Sequence, residues 1–487
     1  MTSTQERYDL VILGSGSTAF AAALHAAELG KSVVMTESRT IGGTCANRGC
    51  LPSKNLIEAA RLVYDAAHPR YPGLSPVSMP VNWTELVAQK DEIVQEYRAH
   101  KYESLLDNPD HMQIVRGQAR LVSDHEVEVQ GADGMCRLVG EQILIATGST
   151  PSIPTVPGLE DVPYLTSDLL SAADDPWGTE LREQPCSMLI LGGGYIALEL
   201  GQMFARFGTE VTLITQGKRI LSGYEPEIAE ALTEILQEEG LRIVSEAQVY
   251  GVERSQEGIA LSVKRHGNLH TFTAEKLLVA AGRRPNTREI GLEHTGVEID
   301  QAGAVRVDRT LRTNIAHIWA SGDVIGRESG SQMATPVGAR DGKIAAHNAL
   351  SGEPLRKVDH SIIPRAIFTD PQVAVVGMTD EEANAAGIVC ECNTIPLSVV
   401  PRAGAIRDTR GVIKMVLEGP TRRVVGVSML GVNAGEVIHE AAMALRFGAT
   451  TDDFIDLIHV YPTMAEALKL VAISFTKDVN RLSCCAS

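Results

Sequence analysis

Near its start the chain reads Tyr8-Asp9-Leu10-Val11-Ile12-Leu13-Gly14-Ser15-Gly16-Ser17-Thr18-Ala19. The apolar run Tyr8 to Leu13 predicts a strand that ends in a G-x-G-x-x-A turn. An Ala-rich helical stretch follows to about Leu29, then Gly30 and a second strand, Ser32 to Met35, which ends at Glu37. That order is a βαβ unit. Gly14 and Gly16 allow the backbone to turn tightly and approach a pyrophosphate at the helix N-terminus, and Ala19 lets helix and strand pack closely. Glu37, about 20 positions on, is placed to accept hydrogen bonds from ribose hydroxyls.

The same grammar returns further along. Ser187 to Leu191 leads into Gly192-Gly193-Gly194-Tyr195-Ile196-Ala197, a helix through Phe207, Gly208, and a strand from Glu210 to Ile214. Thr215-Gln216 stand where Glu37 stood, and Lys218-Arg219 follow. Loss of the acid beside two cations favours a 2′-phosphate, hence NADPH over NADH. Two such folds imply two dinucleotides. The runs Gln142 to Gly148, which includes Thr147, and Leu277 to Pro285, which includes Gly282, are expected to close them. The Pro-rich segment 151–158 is the expected crossover. The run ending Trp319-Ala320-Ser321-Gly322-Asp323 is expected to return to the first fold, and the chain from about Lys357 reads as a separate domain.

Composition narrows the classes of partner. The 487 residues carry a formal net charge of −17 and no long basic run, which argues against nucleic acid or an anionic membrane. No apolar run approaches the roughly 18 residues of a membrane span, and the polar N-terminus has no signal-peptide pattern. Eight Cys in so long a chain make no secreted disulfide framework. A cytoplasmic location is expected, where a close Cys pair is more often catalytic or metal-binding than structural.

Such a pair lies in Gly42-Gly43-Thr44-Cys45-Ala46-Asn47-Arg48-Gly49-Cys50-Leu51-Pro52-Ser53-Lys54. Five helical steps turn through about 500°, so the two thiols do not share one face of an ideal helix. They can meet if Cys45 precedes a helix and Cys50 opens it, with Pro52 tolerated early. A thiol there has its thiolate stabilised, and the dithiol can cycle with a disulfide. A second pair, Cys484-Cys485, lies near the carboxyl end. Neighbouring Cα atoms lie about 3.8 Å apart, short of the usual disulfide span of roughly 4.4–6.8 Å, so that pair favours the dithiol and suits a soft metal ion.

With Gly14-x-Gly16, the Cys45–Cys50 element, Gly192-x-Gly194-Tyr195-Ile196-Ala197-x-Glu199 and Ser321-Gly322-Asp323, the chain resembles the flavin-dependent pyridine nucleotide–disulfide oxidoreductases over essentially its whole length. The resemblance implies an α/β architecture with two Rossmann-like dinucleotide-binding domains and a C-terminal α+β dimerisation domain. The implied bounds are 1–155 for an FAD domain, 156–284 for an NADPH domain, 285–355 for a central segment returning to the FAD domain, and 356–487 for the dimerisation domain. FAD is assigned to Gly14, Gly16, Ala19, Glu37, Gly43, Thr44, Lys54, Thr147, Gly148 and Asp323. NADPH is assigned to Gly192, Gly194, Ala197, Lys218, Arg219 and Gly282. Cys50 is implied to face the flavin as a thiolate, Cys45 to exchange with substrate, and Lys54 and Glu199 to pair beside the flavin.

Within that family, reductases of organic disulfides carry His-Pro-Thr-x-x-Glu near the C-terminus, whereas this chain reads His459-Val460-Tyr461-Pro462-Thr463-Met464-Ala465-Glu466. Tyr461 fills the position of the acid–base His. A phenol with a pKa of about 10 is a poor base at neutral pH, although it can donate to a thiolate. A register shifted to His459 remains an alternative. Tyr461, Tyr195 and the terminal Cys484-Cys485 together resemble the mercuric reductases. The resemblance implies Hg(II) as substrate, taken from small thiols by the tail of one subunit. The tail then passes it to Cys45 and Cys50 of the other subunit in a homodimer, where Tyr195 and Tyr461 flank it and reduction gives Hg(0). Those enzymes often begin with a small Gly-Met-Thr-Cys-x-x-Cys domain; here the first fold starts by Tyr8, which is expected of a core form. The alternatives are an organic disulfide reductase and a metal-sequestering flavoprotein. Cys390-x-Cys392 has a spacing that could bind metal but reads as incidental, and none of the 13 His shows zinc-site spacing.

Overall fold

The computed structural model describes residues 5–107 and 112–482. The strand Gln5–Leu13 sits at the centre of the first sheet, with Leu10 to Leu13 at most 1% exposed. Its second half is apolar on both sides because both faces of the sheet are covered there, with the helices Ser17–Glu28 and Thr335–Leu350 among the covering elements. Val33–Glu37 pairs with it in parallel on one side and Gly134–Ile145 on the other. Met112–Arg116 extends the sheet beyond Val33–Glu37. The antiparallel strands Glu126–Gly131 and Gln118–Leu121 extend it past Gly134–Ile145. Ile318–Ala320 adds in parallel to the C-terminal half of Gly134–Ile145, so the run ending at Asp323 returns to the first sheet as expected.

The helix Ser17–Glu28 buries Ala19, Phe20, Ala22, Ala23 and Ala26. These mostly small side chains let the long helix Thr335–Leu350 lie closely along it.

The second sheet runs Arg242–Val244, Glu210–Ile214, Ser187–Leu191, Lys276–Val279, all parallel. The run Leu277 to Pro285 divides, however. Only its first part closes this sheet, while Arg283–Pro285 turns away to pair antiparallel with Ser149–Pro151. That two-stranded ribbon ties the two nucleotide folds together at the ends of their closing strands. A three-stranded antiparallel sheet, Ala247–Ser255, Gly258–Arg265 and Asn268–Ala274, flanks the second fold.

The C-terminal unit is an antiparallel five-stranded sheet ordered Arg365–Ile367, Gln372–Gly377, Arg423–Gly431, Val412–Glu418, Cys390–Pro396. The helices Ala434–Phe447 and Glu466–Ile473 pack on it. The architecture is thus the α/β one expected, with two dinucleotide folds and a C-terminal α+β domain. Among the described residues no helix is long and apolar enough to cross a membrane.

A buried ammonium joins the C-terminal sheet to the second nucleotide fold. Lys414, with its side chain 2% exposed, donates to Glu225 at 2.8 Å, Glu227 at 3.0 Å and Asp380 at 2.8 Å. Three carboxylates hold its pKa above the ordinary lysine value despite burial. Removing the cation leaves Glu225 buried with like charges nearby, and breaking such a pair costs several kcal/mol. Lys414→Met is expected to lower stability by about 3 kcal/mol, read as a lower midpoint in urea.

Candidate active site

The two thiols meet through a break in the helix. Cys45 lies in a six-residue helix of its own, Gly43–Arg48, and Cys50 is the first residue of the next, Cys50–Ala67. Between them Gly49 leaves the helical region at φ −121°, ψ −107°. The sequence reading placed Cys45 before any helix. In the structure an extra short helix precedes the break, and the turn at Gly49 folds one thiol back on the other. Both are free thiols; Cys45 is half-buried and Cys50 is exposed into the cleft described below.

Their protonation is unequal. Hydrogen bonding to Cys50, then burial, pushes the Cys45 thiol far above its ordinary value. The same hydrogen bond is the main cause holding Cys50 down to about 6; the Lys54 ammonium and the Thr335 hydroxyl help, and burial opposes them. The pair is therefore an S–H donating to a thiolate at neutral pH. Lys54 Nζ lies 2.7 Å from Glu199 Oε2, and Glu199, 5% exposed, accepts a second bond from the Phe368 N–H at 2.8 Å. The Phe368 ring centroid sits 4.8 Å from Lys54 Nζ. Thr335 Oγ1, at the start of its helix, is 3.9 Å from Cys50 Sγ.

Cys45, Cys50, Lys54, Glu199 and Thr335 line a cleft of ≈ 190 Å³ that also takes in Gly16, Gly148, Tyr195 and Asp323. It continues into a longer one of ≈ 620 Å³ lined by Gly14, Gly16, Glu37, Gly43, Thr44, Thr147 and Gly148. Both open beyond the C-terminal ends of the parallel strands, where α/β sheets bind ligands. At Gly14 a Cβ would fall 2.4 Å from Ala146 O, so only glycine leaves the turn its shape. The Glu37 carboxylate is fixed by Ser15 Oγ at 2.5 Å and the Arg39 N–H at 2.6 Å. Ser149 donates to Asp323 at 2.6 Å, and Arg283 Nε donates to Ser149 Oγ at 2.8 Å. Ala19 is wholly buried in the helix behind the turn and touches neither cleft. A glycine cradle, a carboxylate at its far end and a thiolate at its near end fit FAD.

The second fold repeats the turn without the acid. A Cβ at Gly192 would lie 2.2 Å from Ala280 O, and Ala197 is fully buried in the helix Tyr195–Arg206 that follows Gly194. Thr215 is buried at the acid's position and Lys218 is exposed. Arg219 donates to Tyr224 O at 3.3 Å, while its Nε is buried with no hydrogen-bond partner. That unsatisfied guanidinium edge, with Lys218 beside it, fits a 2′-phosphate. Gly282 sits at the turn into the strand Arg283–Pro285, and its carbonyl accepts from the Ser152 N–H at 2.9 Å.

Tyr195, at the first turn of its helix, reaches the thiol cleft, and burial there pushes its phenol up. Tyr461 does not line that cleft; it stands 47% exposed in the C-terminal domain. His459 Nε2 is engaged with Glu440 Oε1 at 2.9 Å. Cys484 and Cys485 lie outside the described residues. The structure also recruits groups that motif spacing did not single out: Thr335, Phe368, Ser149 and Arg283. It brings Asp124, His125 and His317 together with ligand atoms within 4.8 Å of one another, although no zinc-type spacing links them.

Residues 8–342 match the family described as pyridine nucleotide-disulphide oxidoreductase, and residues 363–472 match its dimerisation domain. The chain belongs to this family. Its cofactors are accordingly FAD and NADPH. Among curated relatives in the family, a mercuric reductase of Streptomyces lividans is 41% identical over the whole of both chains. One of Staphylococcus aureus is 39% identical, covering 98% of this chain and 84% of the relative. Among solved structures in the family, a Cu(II) complex of the HOCl-induced flavoprotein disulfide reductase RclA from Escherichia coli superposes with a TM-score of 0.83. It is 29% identical and covers 97% of this chain and all of that one.

The unequal thiols give a pH signature. Cys50 should be alkylated as a thiolate above pH ~6 and lose reactivity as pH falls through that value, because protonation removes the nucleophile. Cys45→Ala removes the hydrogen bond that holds the value down. The alkylation midpoint, followed by mass spectrometry of two-electron-reduced protein, should then move up toward the ordinary ~8.5.

Proposed function

We propose that this chain is a mercuric reductase, taking electrons from NADPH to convert Hg(II) to Hg(0) at the Cys45–Cys50 pair. The observation that carries the reading is the polarised dithiol beside the Lys54–Glu199 pair at the mouth of a dinucleotide cleft. Two sulfurs of unequal protonation suit stepwise capture of a two-coordinate soft cation. Although the resemblance gave the exchanging role to Cys45, the more exposed Cys50 thiolate forms the first S–Hg bond here and displaces one small thiolate. Cys45 forms the second, its proton leaving with the other small thiol. No oxidation state changes in that exchange. Bound FAD, reduced by NADPH, supplies the two electrons for the reduction. As Hg(0) departs both S–Hg bonds break, the sulfurs keep their electron pairs, and Lys54 steadies the charge that returns to Cys50.

Tyr461 is read as part of a shared site. It stands outside the cleft of its own chain, while Met443, Phe447, Ile458 and Val460 are 58%, 77%, 91% and 77% exposed in the same domain. So large an apolar surface suits burial against a second copy, and a two-fold homodimer is the simplest closed arrangement. In that dimer Tyr461 and the Cys484-Cys485 tail of one chain serve the thiols of the other. The tail accepts Hg(II) from small-thiol complexes in the cytoplasm and hands it to Cys45 and Cys50 between Tyr195 and Tyr461. The FAD, NADPH, central and dimerisation portions at 1–155, 156–284, 285–355 and 356–487 belong to the same reading.

The test is NADPH oxidation with Hg(II) in excess small thiol, with volatile mercury trapped from the headspace. Oxidation that requires Hg(II) and matches the Hg(0) released is expected. Bound mercury without oxidation would make the chain a sequestering protein, and ready turnover of an organic disulfide would make it a disulfide reductase. Cys484→Ala with Cys485→Ala should leave cofactor reduction by NADPH intact and lower Hg(II) turnover severalfold when thiols compete. Equal turnover under that competition would remove the tail from the mechanism.

A further inference from the structure

The Cys390-x-Cys392 pair lies on the edge strand Cys390–Pro396 of the C-terminal sheet, which among the described residues pairs with Val412–Glu418 alone. Residues two apart on a strand point to the same face. The sulfurs accordingly lie 3.9 Å apart, Cys392 exposed and Cys390 half-buried. Cys390 Sγ in turn donates toward Asn384 Oδ1 at 3.6 Å and Asp380 O at 3.9 Å, both on the neighbouring helix Asp380–Ala385. Burial and the adjoining Cys390 push the Cys392 thiol up to about 12.

Strand geometry decides what such a pair can become. At ~3.3 Å per residue the two Cα atoms are about 6.6 Å apart, at the upper limit of disulfide spans. Ladder pairing opposite Glu418 and Val416 holds both backbones in place. Closing a disulfide therefore means pulling against the sheet. A bridging ion asks for side-chain rotation alone: with thiolate–metal bonds of ~2.3 Å, sulfurs share one ion at 3.9 Å in a bent arrangement and at ~4.6 Å in a linear one.

We propose that Cys390 and Cys392 form a second dithiol site for a thiophilic cation, with Hg(II) the ion it would meet in this protein. Loading is a ligand exchange. Two S–Hg bonds to small thiols break, two form to Cys390 and Cys392, and the two protein protons leave on the departing thiols. No electrons move. The site stands on the geometry of this strand and does not depend on turnover at Cys45 and Cys50.

The experiment uses the full chain carrying Cys45→Ala, Cys50→Ala, Cys484→Ala and Cys485→Ala, dialysed against Hg(II) in excess monothiol. One Hg(II) retained per chain is expected, found by peptide mapping on the strand Cys390–Pro396. Adding Cys390→Ser and Cys392→Ser should abolish retention. Cys390→Ser alone should also abolish it, since a single protein thiol competes no better than the monothiol in solution. No retained ion in the parent, or equal retention without Cys390 and Cys392, would overturn the proposal. A loss of retention can be read independently of Hg(0) release, which reports on the other pair.

Discussion

One backbone crossing organises the redox site. Gly43 passes so close to Gly16 that a Cβ on Gly43 would lie 2.7 Å from Gly16 Cα, and Gly42 bridges Gly16 and donates its N–H to Ser15 O at 3.0 Å. Any side chain at position 43 would drive the two segments apart. Because they touch, the dinucleotide turn and the helix bearing Cys45 are fixed to each other, and Gly49 needs to redirect the chain only once to bring Cys50 alongside. The thiol pair is held by the same contact that shapes the phosphate cradle.

What surrounds that contact is assembled from distant parts of the chain. Lys54 is set by Glu199, Glu199 by the Phe368 N–H, and Cys50 by Thr335. The first two links cross from one unit of the fold to another, and the third joins segments far apart in the chain. The low value of the Cys50 thiolate is set chiefly by its near neighbours Cys45 and Lys54, with Thr335 adding support from a distant segment.

The division between what was legible in the sequence and what was not follows from this. Strand, glycine turn and helix are local patterns, so both dinucleotide folds and the return of Ile318–Ala320 to the first sheet could be read from residue order. The Cys45–Cys50 spacing and the Lys54–Glu199 pair were legible through motifs. The six-residue helix around Cys45 was not, since it is too short to show a period and is held by packing. Arg283 was taken with the closing strand of the second fold, yet it turns away to bind Ser149. That choice depends on where Ser149–Pro151 lies, which no local pattern encodes. Thr335 and the Phe368 backbone carry no motif at all, and they enter the site only because their elements dock there.

The polarity of the thiol pair is set almost where it is made. Cys45, the main cause of the low Cys50 value, and Lys54 both lie within five residues of Cys50, whereas the Glu199 carboxylate pushes the other way. A nascent chain that has made the helices Gly43–Arg48 and Cys50–Ala67 therefore carries the two principal supports before residues 199, 335 and 368 exist to dock. Its thiolate stands open to oxidants and stray metal ions until the rest of the molecule builds the cleft around it, so the half-made molecule is the vulnerable one.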